Sequence, residues 1–175
     1  MSAWNKERLL RLLDAHGIAY TAVDHPPVAT MAESARLGLP LKGSRCKNLA
    51  VRNKAGTRNL LVVVPPDKGV DLGSLGRELG VGRLSLCQSE GLLDLLGVRP
   101  GALSPFALAA DGPPARFTLI LDRTVAHEPF LLMHPMVNTA TLSIAQADFR
   151  RFLQIVEHEP LVHDIADRQG APSNR

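Results

Sequence analysis

The alternation of apolar and polar residues along the chain predicts short strands interspersed with helices. Leucines recur at helical spacing between residues 4 and 16, and Gly17 ends that helix. Residues 46–53 and 58–64 predict a hairpin, and because residues 60–64 read LLVVV, we expect its second strand to be covered on both faces. The same reasoning predicts five further strands, at residues 20–23, 83–86, 117–122, 129–133 and 138–142.

Two capping-box patterns mark helix starts. Thr30-Met31-Ala32-Glu33 begins a short helix that ends near Gly38, and Ser143-Ile144-Ala145-Gln146 predicts the start of a last helix that runs to about residue 158. Two more helices are predicted at residues 71–79 and 90–96. Because strands and helices follow no regular βαβ rhythm, we predict an α+β fold. We expect one domain over residues 1–160 and a loosely ordered tail over residues 161–175, which carries few apolar positions.

The start of the hairpin raises a question about Lys47. Side chains alternate across a strand, so Lys47 shares a face with Leu49 and Val51, where an ammonium group is costly unless it meets an anion or a wet cavity. The alternative is a strand that starts later and leaves Lys47 at an exposed rim. The apolar pattern by itself leaves both interpretations open, because strand boundaries are the least certain part of such a pattern.

Basic residues are concentrated around this hairpin. The formal net charge is only +3, but residues 34–66 contain no Asp or Glu. The basic residues of that segment are Arg36, Lys42, Arg45, Lys47, Arg52, Lys54 and Arg58. Such an excess suits an anionic partner such as nucleic-acid phosphate, although a solvated basic hairpin is an equal alternative. With 4% aromatic residues, base stacking is disfavoured, so any RNA would be held by its phosphates.

Composition limits where the protein acts. The chain has 175 residues and two cysteines, which give neither a disulfide framework nor a CxxC metal pattern. The longest apolar run, residues 60–64, is far too short to span a bilayer, and the N-terminal pattern lacks the apolar core of a signal peptide. We therefore expect a soluble cytoplasmic protein with no membrane partner.

Common catalytic chemistries find little support in the motifs. A nucleophile could be formed by Cys46 or Cys87 with a histidine, but no local sequence signature supports it. Small free cysteines are usually just buried. The sets His127, Glu128 and His134, and His158 with His163, lack the spacing of metal ligands. No P-loop, GxGxxG or GxSxG pattern is present. We predict no metal and no cofactor.

A glycine- and proline-rich loop and a histidine-proline pair remain. Gly97, Gly101 and Pro105 could bring backbone N–H groups close to a substrate, or form an ordinary loop. His134-Pro135 ends an apolar strand, so His134 could face a cavity mouth or be a capped, satisfied histidine.

Together these residues give the chain a family resemblance. It resembles the YbaK-like, prolyl-tRNA-editing family, in particular the free-standing ProX (PrdX) type, over nearly its whole length. The resemblance rests on the order and spacing of four motifs, which are Cys46-Lys47-Asn48-Leu49, Arg83-Leu84-Ser85, Gly101-Ala102-Leu103-Ser104-Pro105, and His134-Pro135 followed by Asn138.

The resemblance implies a compact α+β fold with a mixed, barrel-like β-sheet surrounded by helices. It implies hydrolysis of the ester of mischarged tRNA(Pro), most often Ala-tRNA(Pro), and partners limited to the tRNA acceptor end and prolyl-tRNA synthetase, not DNA. Lys47 takes the catalytic position. The implied substrate-binding residues are Asn48, Arg83, Gly101, Ser104, Pro105, His134 and Asn138, and the implied tRNA-binding residues are Arg45 and Arg52.

Two alternatives to this function stay open at the sequence level. One is editing of a different mischarged tRNA, such as Cys-tRNA(Pro) or Ser-tRNA. The other is a non-catalytic tRNA- or synthetase-binding homologue, which the intact Lys47-Asn48 pair disfavours. Ala50 departs from the family pattern, where a larger residue commonly follows the Lys-Asn-Leu motif, and this puts the packing behind the hairpin in doubt.

Overall fold

The computed structural model describes residues 3–168, which form two mixed β-sheets with helices packed around them. The predicted α+β class is confirmed, with the strands divided between two sheets that do not close on themselves. The smaller sheet has the order β1 (Tyr20–Asp24), β8 (Ala140–Ala145), β7 (Phe130–Met133) and β2 (Ser44–Arg45). The larger has the order β5 (Leu84–Leu86), β3 (Lys47–Asn53), β4 (Asn59–Val64), β6 (Phe117–Asp122) and β9 (Leu161–His163).

The helices lie between the strands in sequence. Residues 3–168 contain α1 (Lys6–Ala15), α2 (Met31–Arg36), α3 (Leu72–Glu78), α4 (Ser89–Leu96), α5 (Arg123–His127) and α6 (Gln146–Ile155), and 3₁₀ helices at Pro100–Ala102 and Pro105–Ala110. None of the helices in this part of the chain is long and apolar enough to cross a membrane.

The larger sheet is covered on both faces. On one face a core that includes Leu61, Leu119 and Phe149 joins it to α1, α6 and the smaller sheet. On the other face Leu60 and Val62 pack with α3 in a second core. Strand β4 therefore buries both of its faces, which explains its unbroken apolar run and confirms that prediction.

The predicted hairpin forms and resolves the position of Lys47. Strand β3 begins at Lys47, which pairs with Val64 of β4, so the alternative of a later strand start is wrong. The strand runs antiparallel to both β4 and β5.

Two sequence predictions near the C-terminus are wrong. Ser143 lies inside β8, where its hydroxyl donates to the Lys42 carbonyl, and α6 begins without a side-chain cap. The loose tail predicted from residue 161 is also contradicted, because β9 pairs with β6 and Ile165 is buried in the second core. Its remainder, residues 169–175, lies outside the described residues.

Candidate functional site

A cavity of about 170 Å³ opens where β3 begins, between α2, the end of β7 and the Pro100–Ala102 turn. Its lining comes from five separate stretches of chain, which supply Val28, Ala29, Thr30, Met31, Ser34, Arg45, Cys46, Lys47, Asn48, Pro100, Gly101, Leu103, Leu132, Met133, His134 and Thr141. Of the described residues that line the cavity, two are cationic at neutral pH and none is Asp or Glu. The cavity therefore favours an anionic or electron-rich group.

Lys47 is the first residue of β3, and its ammonium group has a hydrogen-bond partner. Its side chain lies on the same face as Leu49 and Val51, as the strand pattern predicts, and is only partly exposed. The ammonium group donates to the main-chain carbonyl of Lys68, in the loop that follows β4. An ammonium group has three donors, so two remain for a ligand in the cavity.

Asn48 is the neighbour of Lys47 and the most unusual polar group in the cavity wall. Its Oδ1 atom is buried and has no hydrogen-bond partner. A buried acceptor without a donor costs about 1–3 kcal/mol, so Asn48 carries a hydrogen-bonding capacity that the described residues leave unused. Lys47 and Asn48 point to opposite faces of β3, yet both reach the cavity because it lies at the end of the strand.

His134 presents a neutral ring to the cavity. Its Nδ1–H donates to the Ala140 carbonyl at 2.7 Å, which leaves Nε2 as an acceptor. Burial lowers the pKa of His134, and the nearby His25 acts in the same direction, whereas the Ala140 bond works against them. The rings of His25 and His134 lie 5.9 Å apart, and His25 is itself held by Thr141 at 2.8 Å. His134 is therefore an oriented hydrogen-bond acceptor near pH 7.

The Gly101–Pro105 motif divides into a cavity part and a structural part. Gly101 lines the cavity. Ser104 is fully buried, and its hydroxyl donates to the His134 carbonyl at 2.6 Å and caps the next 3₁₀ helix, which Pro105 begins. Ser104 and Pro105 therefore lie behind the cavity wall, and Ser104 supports the backbone of His134.

Asn138 also lies behind the cavity wall and holds a lining residue, Val28, in place. Its amide donates to the Val28 carbonyl at 3.0 Å, and the Val28 N–H donates back to the Asn138 carbonyl at 3.2 Å. Val28 lines the cavity, so this pair fixes the segment that leads into α2.

The predicted basic residues fall into two places. Arg45 lines the cavity. Arg52 and Arg83 instead line a separate surface groove together with Lys54, so the structure does not bring Arg83 to the cavity. The separation has a simple cause, because Arg52 lies five residues beyond Lys47 along β3, about 16 Å at the rise of a strand. The Arg52 guanidinium also donates to the Gly56 carbonyl in the hairpin turn.

Neither cysteine has the environment of a nucleophile. Burial raises the pKa of the Cys46 thiol to about 12, and Glu128 adds to the rise. Burial also raises the pKa of Cys87, although Arg52 opposes it. Both groups are therefore protonated near pH 7. No group of three or more potential metal ligands occurs within residues 3–168.

Helix α2 supplies a wall of the cavity that the motifs did not reveal. Thr30, Met31 and Ser34 line the cavity. The predicted capping box is confirmed, because Thr30 Oγ1 accepts from the Glu33 N–H and the Glu33 carboxylate accepts from the Thr30 N–H. The helix was therefore predictable, but its place above β3 depends on tertiary packing.

The cavity and its lining correspond to a known family. The model of the aminoacyl-tRNA editing domain matches residues 25–152, a span that includes every cavity-lining residue. The chain belongs to the aminoacyl-tRNA editing domain family. The resemblance stated from the sequence is thus confirmed, and so is the enzyme class that it implied, an aminoacyl-tRNA deacylase.

Relatives of this editing domain agree with that assignment. The chain is 36% identical over 159 residues to prolyl-tRNA synthetase associated domain-containing protein 1 of Danio rerio, across 90% of this chain and 85% of that protein. It is 28% identical over 149 residues to the prolyl-tRNA editing protein ProX of Acetoanaerobium sticklandii, across 85% and 90% of the two chains. A crystal structure of a candidate trans-editing enzyme for prolyl-tRNA synthetase shares the fold, with a TM-score of 0.64 and 20% identity over 95% of this chain and 99% of that one.

Proposed function

We propose that this editing domain is a trans-acting hydrolase that deacylates mischarged tRNA(Pro), with Ala-tRNA(Pro) as its preferred substrate. One observation carries the proposal. The Lys47 ammonium group and the unpartnered Asn48 acceptor belong to adjacent residues that line a cavity without carboxylates. The similarity to the ProX protein, whose name describes prolyl-tRNA editing, supports the choice of tRNA(Pro).

Lys47 acts as an electrostatic anchor. Hydrolysis places negative charge on the ester carbonyl oxygen, and a fixed cation in a partly buried cavity stabilises that charge more than water does. Alternatively the same ammonium holds the terminal phosphate. In either role Lys47 forms no covalent bond to the substrate.

Asn48 and His134 orient the aminoacyl group. The substrate brings donors to the cavity, namely its α-ammonium group and the ribose hydroxyl. We assign the α-ammonium to Asn48 Oδ1, because this buried acceptor has no other partner and a charged donor would satisfy it. His134 Nε2 accepts a second hydrogen bond, from the attacking water or the ribose hydroxyl.

The reaction is a simple ester hydrolysis. The water oxygen bonds to the carbonyl carbon, the bond from that carbon to the ribose oxygen breaks, and a proton passes from the water to the leaving ribose oxygen. An aminoacyl ester is already activated, so positioning and charge stabilisation supply the required acceleration without a strong nucleophile.

The cavity is small, and this supports a small aminoacyl group. Pockets for drug-sized ligands occupy about 300–1,000 Å³. At about 170 Å³ the cavity accommodates an alanyl group, with the terminal adenosine at its mouth. Rejection of correct Pro-tRNA(Pro) then comes from limited space.

The basic residues outside the cavity fit the rest of the acceptor end. Arg45 at the cavity and the groove of Arg52, Lys54 and Arg83 form two separate cationic sites. We assign both to tRNA phosphates, which moves Arg83 from the aminoacyl site to the tRNA backbone. Prolyl-tRNA synthetase, which appears in the names of relatives, is the proposed protein partner.

A deacylation panel tests the function. The protein is incubated with Ala-, Cys-, Ser- and Pro-tRNA(Pro), and loss of the aminoacyl group is followed over time. We expect the highest kcat/KM for Ala-tRNA(Pro) and the lowest for Pro-tRNA(Pro). A preference for Cys- or Ser-tRNA would reassign the substrate, and tRNA binding without any hydrolysis would replace the enzyme with a binding protein.

Lys47→Met tests the role of the ammonium group, because methionine keeps most of the aliphatic side chain. We expect kcat to fall at least 100-fold, since a lost charge stabilisation of about 3 kcal/mol corresponds to that factor. Lys6→Met removes a lysine that is paired with Asp24, away from the cavity lining, and serves as the matched control. Wild-type activity in Lys47→Met would refute the proposed role.

A further inference from the structure

The C-terminal segment 161–168 lies outside the family match, which ends at residue 152, yet it is built into the fold. Its strand β9 pairs in parallel with β6, and Ile165 is 3% exposed in the second core. The segment then passes along the loop formed by residues 65–71, which joins β4 to α3.

Four hydrogen bonds join the segment to this loop. They run from Asp71 N to Ala166 O at 3.3 Å, from Arg168 N to Gly69 O at 2.7 Å, from Gly69 N to Asp167 Oδ1 at 3.0 Å, and from Lys68 Nζ to Ile165 O at 2.9 Å. Two of these bonds join main-chain groups on both sides, and a third holds the Gly69 N–H, so they fix the backbone of the loop as well as the Lys68 side chain.

Lys68 is the centre of this connection. Its ammonium group bridges the Ile165 carbonyl and the carboxylate of Asp122, the latter at 2.7 Å. The Asp122 side chain is only 2% exposed, and its other oxygen caps α5 by accepting from Thr124 N. A buried carboxylate requires a partner of opposite charge, so the Lys68 side chain is strongly held in place.

The main-chain carbonyl of Lys68 is the group that accepts the Lys47 ammonium. Since the peptide unit is planar, the backbone of Lys68 determines where this carbonyl points. The Gly69 N–H belongs to the same peptide unit and donates to Asp167 Oδ1, so the C-terminal segment holds the carbonyl that Lys47 contacts. Asp122 and the Ile165 carbonyl hold the side chain of the same residue, Lys68. We propose that Lys68 is a positioning residue, which the C-terminal segment and Asp122 hold so that the Lys47 ammonium points into the cavity. The inference rests on the proposed role of Lys47.

The physical reason is the freedom of a lysine side chain. A long flexible stem lets an unattached ammonium group occupy many positions, and a misplacement of about 1 Å can lower a rate about 100-fold. A hydrogen bond to the Lys68 carbonyl selects one position. Loosening the loop would then impair the chemical step and leave tRNA binding by the basic groove intact.

Kinetics of Lys68→Met test the proposal. We expect kcat for Ala-tRNA(Pro) to fall 10- to 100-fold while KM stays within twofold, and Lys68→Arg to recover most of the loss. Because Lys68→Met leaves Asp122 buried without a partner, the double variant Lys68→Met/Asp122→Asn is measured in parallel. Asparagine keeps an acceptor for the Thr124 N–H, so this variant removes the charge pair and retains the cap of α5.

Arg123→Gln provides the matched control. Arg123 pairs with Asp164 in the same C-terminal segment, but both side chains are mostly exposed and, among the described residues, neither forms a hydrogen bond or an ion pair with the 65–71 loop. We expect wild-type kcat and KM in this variant. Wild-type kcat in folded Lys68→Met, or in the double variant, would overturn the positioning role.

A second readout is independent of activity. The ¹H–¹⁵N correlation of the Lys47 ammonium group, assigned with Lys47→Arg, reports whether the group is held. We expect a slowly exchanging signal in the wild type, its loss or displacement in Lys68→Met and the double variant, and no change in Arg123→Gln. An unchanged signal overturns the inference. If the wild type hydrolyses no aminoacyl-tRNA, the proposed function fails, and the signal still decides whether Lys68 positions Lys47.

Discussion

At the residue scale, the site depends on two adjacent residues, Lys47 and Asn48, whose side chains point to opposite faces of β3. Lys47 extends toward the Lys68 carbonyl, whereas Asn48 shares a parity with Cys46 and Ala50 and leaves its Oδ1 atom unpaired. The two side chains meet the same cavity only because β3 starts there. Moving this motif to the middle of the strand would separate the charge from the acceptor by the thickness of the sheet.

Two substitutions of Asn48 test whether its side-chain oxygen accepts a hydrogen bond from the substrate. Asn48→Asp keeps the acceptor oxygens, whereas Asn48→Leu removes all polar atoms at similar volume. Because a hydrogen bond to a charged donor contributes about 1.5–3 kcal/mol, we expect kcat/KM for Ala-tRNA(Pro) to fall about 10- to 100-fold in Asn48→Leu and much less in Asn48→Asp.

The substrate provides the control for this prediction. On a lactyl ester of the same tRNA, which carries a hydroxyl in place of the α-ammonium, we expect wild type and Asn48→Leu to differ far less. Equal losses on alanyl and lactyl esters would contradict contact between Asn48 and the α-ammonium group.

Gly101 offers a test of the size of the cavity. An added Cβ would meet only the Val28 carbonyl at 3.7 Å and the Asn138 amide at 3.9 Å, which are ordinary contacts, and the backbone at Gly101 is not left-handed. We expect Gly101→Ala to change the free energy of unfolding by less than about 1 kcal/mol. The methyl group would enter the cavity, so kcat/KM should fall more for Cys-tRNA(Pro) than for Ala-tRNA(Pro). A proportionate fall for both substrates would contradict selection by size at this position.

At the scale of elements, β3 explains the small residue that departs from the family pattern. Ala50 is buried in the core between the sheets, and its carbonyl accepts from the Cys87 N–H at 2.9 Å. Its neighbour Val51 is buried in the second core on the other face. The strand is therefore enclosed on both sides directly behind the site, and Ala50 fits a core filled by larger neighbours.

Enlarging Ala50 should strain this core. We expect Ala50→Leu to lower the free energy of unfolding by about 1–3 kcal/mol, because extra methylene groups in a packed core force side chains from their preferred rotamers. Urea denaturation measures the effect. The same substitution at Ala22, exposed in β1, is the control and should change stability little. A neutral Ala50→Leu would mean that the core has room for the larger residue usual in the family.

At the scale of the whole molecule, a buried ion network joins distant segments of the chain. Asp111 accepts hydrogen bonds from His158 at 3.0 Å, from the Arg116 side chain and from the N–H groups of Arg116 and Phe117. Burial by itself would raise the pKa of Asp111, but these bonds outweigh it and lower the pKa. Burial likewise would lower the pKa of His158, but the bond to Asp111 outweighs it and raises the pKa.

The network predicts how stability depends on pH. The lowered pKa of Asp111 gives stability that is present above its unfolded-state pKa of about 3.9 and is lost as pH falls through the folded value. The raised pKa of His158 gives stability that is present below about pH 6.5 and is lost as pH rises through the folded value. Together they predict a maximal contribution of the pair between about pH 4 and pH 6.5.

His158→Gln tests this prediction. We expect a loss of about 1.5–3 kcal/mol in unfolding free energy near pH 5.5, because the charged imidazole is one of several partners of Asp111, which keeps its bonds to Arg116 and Phe117. We expect a smaller loss near pH 9. Urea denaturation at both pH values measures it. His127→Gln, at an exposed histidine in α5, is the control. A loss that is equal at both pH values would show that the histidine contributes packing and no charge.

The sequence by itself determined the local structure. The hairpin, the strand at Phe117–Asp122 and the Thr30 capping box follow from alternation and capping, because these depend on residues close in sequence. The family and the enzyme class also follow from the ordered motifs. Ser143, in contrast, offered a good cap and lies in β8 instead, since pairing with neighbouring strands outweighed the local preference.

Only the tertiary structure decided which of these residues share a site. It brought His134, Gly101 and α2 to the start of β3, placed Arg83 in a different groove, and joined residues 161–168 to the loop that holds Lys47. The physical reason is that these contacts link residues far apart in sequence. Their geometry depends on how two sheets pack over common cores, and no local pattern of apolar and polar residues encodes that packing.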